Sequence, residues 1–131
     1  MDPYVRCLTN NPRVVASASR CKAVPGGGMQ VLLVARDRVH SGTRLLSHPL
    51  YGNFRPHQQP YRTVVLQDPS SEERGILDLP SLHLLEEALE VYRSCASRIE
   101  DPRDCPCAED YSLLDFELIR ETLSRYGLLG R

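Results

Sequence analysis

The residues of this chain best suited to chemistry fall in one stretch, Leu45 to Tyr61, where His48, Asn53 and Arg55 stand among three prolines, a glycine and a second histidine. An imidazole titrates near neutrality, so His48 is the candidate general acid/base. Arg55, and Arg62 beyond it, present the planar fork that grips carboxylates and phosphates, and Ser47, Gly52 and Asn53 complete a polar, ligand-sized lining. Ser47 beside His48 is adjacency in sequence, which does not orient a base toward a hydroxyl. A long loop without secondary structure of its own is more often functional than decorative.

A second polar segment, Thr9-Asn10-Asn11-Pro12, ends an alternating run and opens a helix. Its amides and the helix N-terminus suit a small anion, and the same residues also make an ordinary helix cap. Ligands of open α/β sheets bind beyond the carboxyl ends of strands. Ser47–His48 and Thr9–Asn11 therefore form one composite site if their strands point the same way.

Other chemistries find little footing. His40, His48, His57 and His83 lack ligand-like spacing, and Cys105-Pro106-Cys107 has no second pair at zinc distance, so neither a metal nor a cofactor is expected. Gly26-Gly27-Gly28 has no following Lys-Ser/Thr and makes no phosphate loop. Five cysteines without regular spacing fit reduced thiols.

These segments need elements to hold them. Tyr4–Thr9 reads as a strand, residues 12–20 as a short helix and Ala23-Val24 as a brief strand, with a break at Pro25–Gly28. Met29–His40 follows helical spacing; Val31–Val34 also reads as a buried strand, but the polar run Arg36-Asp37-Arg38 favours a helix. Arg44–Ser47 and Thr63–Leu66 are strands flanking the long loop. Leu82, Leu85, Leu89, Tyr92, Ala96 and Ile99 mark an amphipathic helix from Pro80 to Ile99, and residues 101–107 a loop. Ser112 with Asp115 three residues on predicts a capping box opening the last helix, with Phe116, Ile119, Leu123 and Tyr126 as its apolar stripe and Gly127 as its stop. The order predicts one α/β domain over residues 1–131, a Rossmann-like layered fold with a small, mostly parallel sheet and helices on its faces.

A chain of 131 residues with 41% apolar and 25% charged residues is an ordinary soluble composition. The sequence shows no membrane-length apolar run and no secretory signal, so a cytoplasmic protein is expected. The net charge of −1 conceals an asymmetry: residues 1–66 carry nine Lys plus Arg against two acids, residues 67–131 seven Arg against fifteen acids. The halves either neutralise one another, within the fold or between protomers, or the first holds an anionic ligand. Basic residues scattered without an aromatic stacking motif argue against nucleic acid. Nothing in the sequence fixes an oligomeric state.

Thr9-Asn10-Asn11-Pro12, Val34-Ala35-Arg36-Asp37-Arg38-Val39-His40-Ser41-Gly42, the run Leu45 to Pro56 and Pro60-Tyr61-Arg62-Thr63-Val64-Val65-Leu66 together resemble the GrdX family in order and spacing, over about residues 5–125. Those small proteins are encoded with the glycine, sarcosine and betaine reductase systems of amino-acid-fermenting anaerobes. The resemblance implies a cytoplasmic accessory protein of a selenium-dependent reductase system, in contact with one of its components or with a small anion. It implies no mechanism. The alternative is a small enzyme acting on a carboxylate or acyl-phosphate with His48 as acid/base.

Overall fold

The computed structural model describes residues 3–51, 60–95 and 102–129. Strand β1 (Val5–Thr9) leads through helix α1 (Pro12–Ser17) to β2 (Cys21–Ala23), then helix α2 (Gly28–His40), strands β3 (Arg44–Leu45) and β4 (Thr63–Gln67), helix α3 (Leu79–Ser94), a 3-10 turn at Pro102–Asp104 and helix α4 (Ala108–Arg125).

The four strands are ordered β2-β1-β4-β3. β1 and β2 are parallel, whereas β4 runs antiparallel to both of its neighbours, β1 and β3. The sheet is mixed, which corrects the expectation of a mostly parallel, Rossmann-like sheet. Successive strands β3 and β4 pair directly, so the chain reverses between them instead of crossing a face, and a reversal yields an antiparallel pair.

Alternation along the strands separates two cores. Leu8, Val64 and Leu66 face α2 and α3 and meet Val31, Leu32, Ala35, Leu85 and Leu89; Val5, Cys7 and Val65 face α1 and α4 and meet Val14, Ile119 and Leu123. Thr9 and Thr63 share the second face and Arg62 the first. This parity decides which helices each polar residue meets.

Several boundaries depart from expectation, among them the end of α3, which stops at Ser94 with Cys95 as its C-cap, and β2, which spans Cys21–Ala23. α1 stops at Ser17, because the chain must bend at Ala18–Arg20 to enter β2; Arg20 takes a left-handed φ of 50° there. β3 ends at Leu45, and Ser47 extends the edge by side chain, its Oγ accepting the Val65 N–H at 2.9 Å. α4 begins at Ala108, so Ser112 and Asp115 lie inside the helix, both buried, and form no capping box. In α3, Asp78 caps the start, accepting from the Ser81 N–H and hydroxyl at 3.2 and 2.5 Å. Ala96 and Ile99 lie outside the described residues.

Candidate functional site

β3 runs in the direction of β1, since both are antiparallel to β4. Ser47 and His48 therefore leave the sheet at the edge where Thr9, Asn10 and Asn11 leave it. Side chains at this edge are mostly spent on the protein itself. Asn10 donates to the Gly26 carbonyl at 3.0 Å and the Pro60 carbonyl at 2.9 Å, and accepts the Arg62 N–H at 2.8 Å. One amide thus fixes the end of the long loop against the start of α2. His48 is exposed, and its Nδ1 accepts the Leu50 N–H at 3.0 Å in a local turn. Gly52, Asn53 and Arg55 lie outside the described residues.

Beneath the edge, on the α1/α4 face, lies a buried polar cluster built around Asp115, which is fully buried. Its carboxylate accepts from Asn11 Nδ2 at 2.9 Å, from Thr63 Oγ1 at 3.0 Å and from the Tyr51 hydroxyl in a short hydrogen bond. Thr9 Oγ1 lies 2.7 Å from Thr63 Oγ1 and accepts the Asn11 N–H at 3.0 Å. Asn11 also caps α1 through Arg13 N–H, accepts from Ser112 Oγ at 2.6 Å and donates to the Ser112 carbonyl at 2.9 Å. Burial raises the Asp115 carboxyl above its ordinary range, outweighing the hydrogen bonds from Tyr51, Asn11 and Thr63 and the attraction of Arg62.

On the α2/α3 face of the same edge stands Arg62, the largest fully buried side chain. Its Nε donates to the Tyr92 hydroxyl at 2.8 Å and its Nη1 to the Tyr51 carbonyl at 3.3 Å, and its guanidinium lies 5.2 Å from the Tyr51 ring centre and 5.8 Å from that of Tyr92. Nη2 is buried and has no hydrogen-bond partner among the described residues, and no carboxylate there makes an ion pair with Arg62. The first residue of α2, Gly28, leaves the room that Arg62 occupies: a β-carbon at Gly28 would clash with the Tyr92 hydroxyl and lie 2.8 Å from Arg62 Cγ. A desolvated cation therefore sits against the positive end of a helix dipole.

Tyr51 joins the two faces. Its ring lies beside Arg62, while its hydroxyl accepts the Thr63 N–H at 2.9 Å and donates to Asp115. Burial, then the Asp115 charge, hold the phenol well above the ordinary tyrosine range. Beside this assembly opens a crevice of about 460 Å³, lined by Asn10, Pro12, Gly26, Tyr61 and Arg103, at the carboxyl ends of β1 and β2. The crevice has the position and size of a small-ligand site; Arg62, next in sequence to its lining residue Tyr61, is fully buried and does not itself line it.

Sequence reasoning brought Thr9, Asn10, Asn11 and Ser47 to one edge and named Arg62 as an oxyanion fork, but it missed Asp115, Tyr51 and Tyr92. The Ser112-x-x-Asp115 spacing was the available signal. Among the described residues no three His, Cys, Asp or Glu side chains group as metal ligands, and no helix is long and apolar enough to cross a membrane.

Comparison places this geometry in a family. The family model described as GrdX-like protein matches residues 6–124, most of the chain, and the chain belongs to that family. No curated protein and no solved structure matches it.

Proposed function

We propose that this member of the GrdX-like family is a cytoplasmic accessory protein that binds a small carboxylate or acyl-phosphate anion in the crevice beside Asn10, in the service of a selenium-dependent glycine or betaine reductase system. The observation that carries the binding function is Arg62: a buried guanidinium with an unpartnered Nη2 and no ion-paired carboxylate among the described residues, set against the N-terminus of α2. Burying a charge costs several kcal/mol; the attraction of Asp115 offsets part of that cost, and an anion at the helix N-terminus would offset more. Thr9, Asn10 and Asn11 hold the frame, Ser47 fixes the exit from β3, and His48 stands exposed at the same edge.

The family resemblance supports the pathway, and the fork and the helix terminus support the anion class. Thermal unfolding in acetate, glycine, betaine, phosphate and acetyl phosphate tests the reading, with chloride of equal ionic strength as control. A ligand at 100 times its Kd stabilises by about 2.7 kcal/mol, a shift of several degrees. Arg62→Met is expected to abolish the shift while keeping the fold, and His48→Ala to retain it. No rise with any of these anions, or an undiminished rise in Arg62→Met, overturns the proposal.

A further inference from the structure

At the other end of α2 the surface carries a different concentration of charge. Arg6, Arg20, Lys22 and Arg38 line a cavity of about 310 Å³ whose floor includes Leu8 and Leu66. Arg20 immediately precedes β2, and the hydrogen bond of the Cys7 N–H to its carbonyl brings it beside Arg6 of β1. Like charges gathered this closely repel one another. One carboxylate answers this cluster among the described residues: Asp68 meets Arg6 Nε at 2.8 Å and Arg38 Nη1 at 3.7 Å. Lys22 makes no ion pair there, and Arg20 keeps two buried guanidinium nitrogens, Nε and Nη2, without a hydrogen-bond partner among the described residues. Four cations facing one anion leave a local excess of positive charge on a chain whose net charge is −1.

Arg20 is also held where it stands. Among the described residues it is the non-glycine residue with positive φ, at 50°, and its neighbours pin it from both sides: the Cys7 N–H bonds to its carbonyl at 3.1 Å, and the Ser19 N–H to the Leu128 carbonyl at 2.7 Å. Strained backbone of this kind persists where the surroundings over-determine it and marks functional positions more often than chance.

We propose that this cavity is a second anion site, distinct from the crevice beside Asn10, and that it takes a multiply charged phosphate group, with Arg20 and Lys22 as its principal contacts. A concave site favours a small ligand over an extended surface. Arginine forks match the tetrahedral oxygens of phosphate, and a dianion or higher charge answers the excess that Asp68 leaves. Ten residues of α2 separate Gly28 from Arg38, about 15 Å along the axis, so one small ligand cannot serve both sites.

Calorimetric titration of the full chain with pyrophosphate tests this. Wild type and Arg62→Met are both expected to bind, which keeps the outcome separate from that at the crevice. Lys22→Glu, which alters an exposed side chain, and Arg20→Ala are each expected to weaken binding at least tenfold, and raised salt to weaken it in wild type. Absence of binding to wild type, binding unchanged in Lys22→Glu, or binding lost in Arg62→Met overturns the proposal. Tighter binding of a DNA oligonucleotide than of pyrophosphate, or a dimer in sedimentation that Lys22→Glu dissociates, overturns it in favour of nucleic acid or a second copy of the chain.

Discussion

Asp115 is a hub of the structure, because three donors from three separate segments converge on it. Removing its carboxylate leaves Asn11 Nδ2, Thr63 Oγ1 and the Tyr51 hydroxyl without their acceptor in a dry interior. Each buried donor left unsatisfied costs about 1–3 kcal/mol, so Asp115→Ala is expected to lower stability by roughly 3 kcal/mol or more in urea unfolding. Ser112→Ala removes one donor to Asn11 and is expected to cost about 1 kcal/mol, a contrast that separates the hub from its rim. The sequence disguised this hub. Ser and Asp three residues apart are the usual mark of a helix start, and what distinguishes a buried pair is the partner across the fold, here Asn11, about a hundred residues away. Asn11 was legible as a cap, and it is one; its second role depends on tertiary contact that no local pattern encodes.

At the level of elements, the helices and strands that local periodicity could reach were readable in order and type, while strand direction was not. Thr63–Leu66 shows β-branched residues in a buried run, which parallel and antiparallel strands share. The direction of β4 rests on how the chain returns from β3, in a loop whose composition announces irregularity without announcing its path. α1 is six residues long, too short to stand by propensity, and its cap ties it to α4. Asn11→Ala therefore removes a cap and breaks the buried cluster together. The expected loss is about 2–4 kcal/mol, above the ~1 kcal/mol of a cap alone, read by equilibrium unfolding. Gly28 is a second case in which an element depends on another. Gly28→Ala forces the first turn of α2 away from Tyr92 and Arg62, and an overpacked contact of this kind costs about 1–3 kcal/mol. Gly27→Ala, whose β-carbon would meet the Gln30 amide oxygen at 3.4 Å, is expected to be milder by the same measurement.

Across the whole molecule, part of the charge opposition between the two halves is answered by ion pairs within the fold. Arg6 and Arg38 pair with Asp68, Arg36 with Glu86 and Arg13 with Glu109, each joining the basic half to the acidic one. The asymmetry in the sequence is therefore partly internal, and Arg20, Lys22, Arg44 and Arg62 are the cations of the basic half without an ion pair among the described residues. Buried acids set the response to pH. The Asp115 carboxyl is raised by burial, so the folded state holds its proton at pH values where the unfolded chain has released it. Stability then falls as pH climbs from the unfolded carboxylate value of about 3.9 through the higher folded one, and the penalty is complete above it. Tyr51 and Tyr92 are raised by burial in the same sense, so a second fall begins above about pH 10, the unfolded tyrosine value. Comparison with single variants isolates a contribution only where the other groups are independent, and Tyr51 is not independent of Asp115, whose carboxyl its hydrogen bond lowers. The wild type minus Asp115→Asn difference in unfolding free energy is expected to decline as pH rises above about 4, and the wild type minus Tyr51→Phe difference to decline above about pH 10. A difference for Asp115→Asn that rises over the acidic window would mean that the three donors and Arg62 outweigh burial, and that the carboxylate is a net stabiliser of this edge.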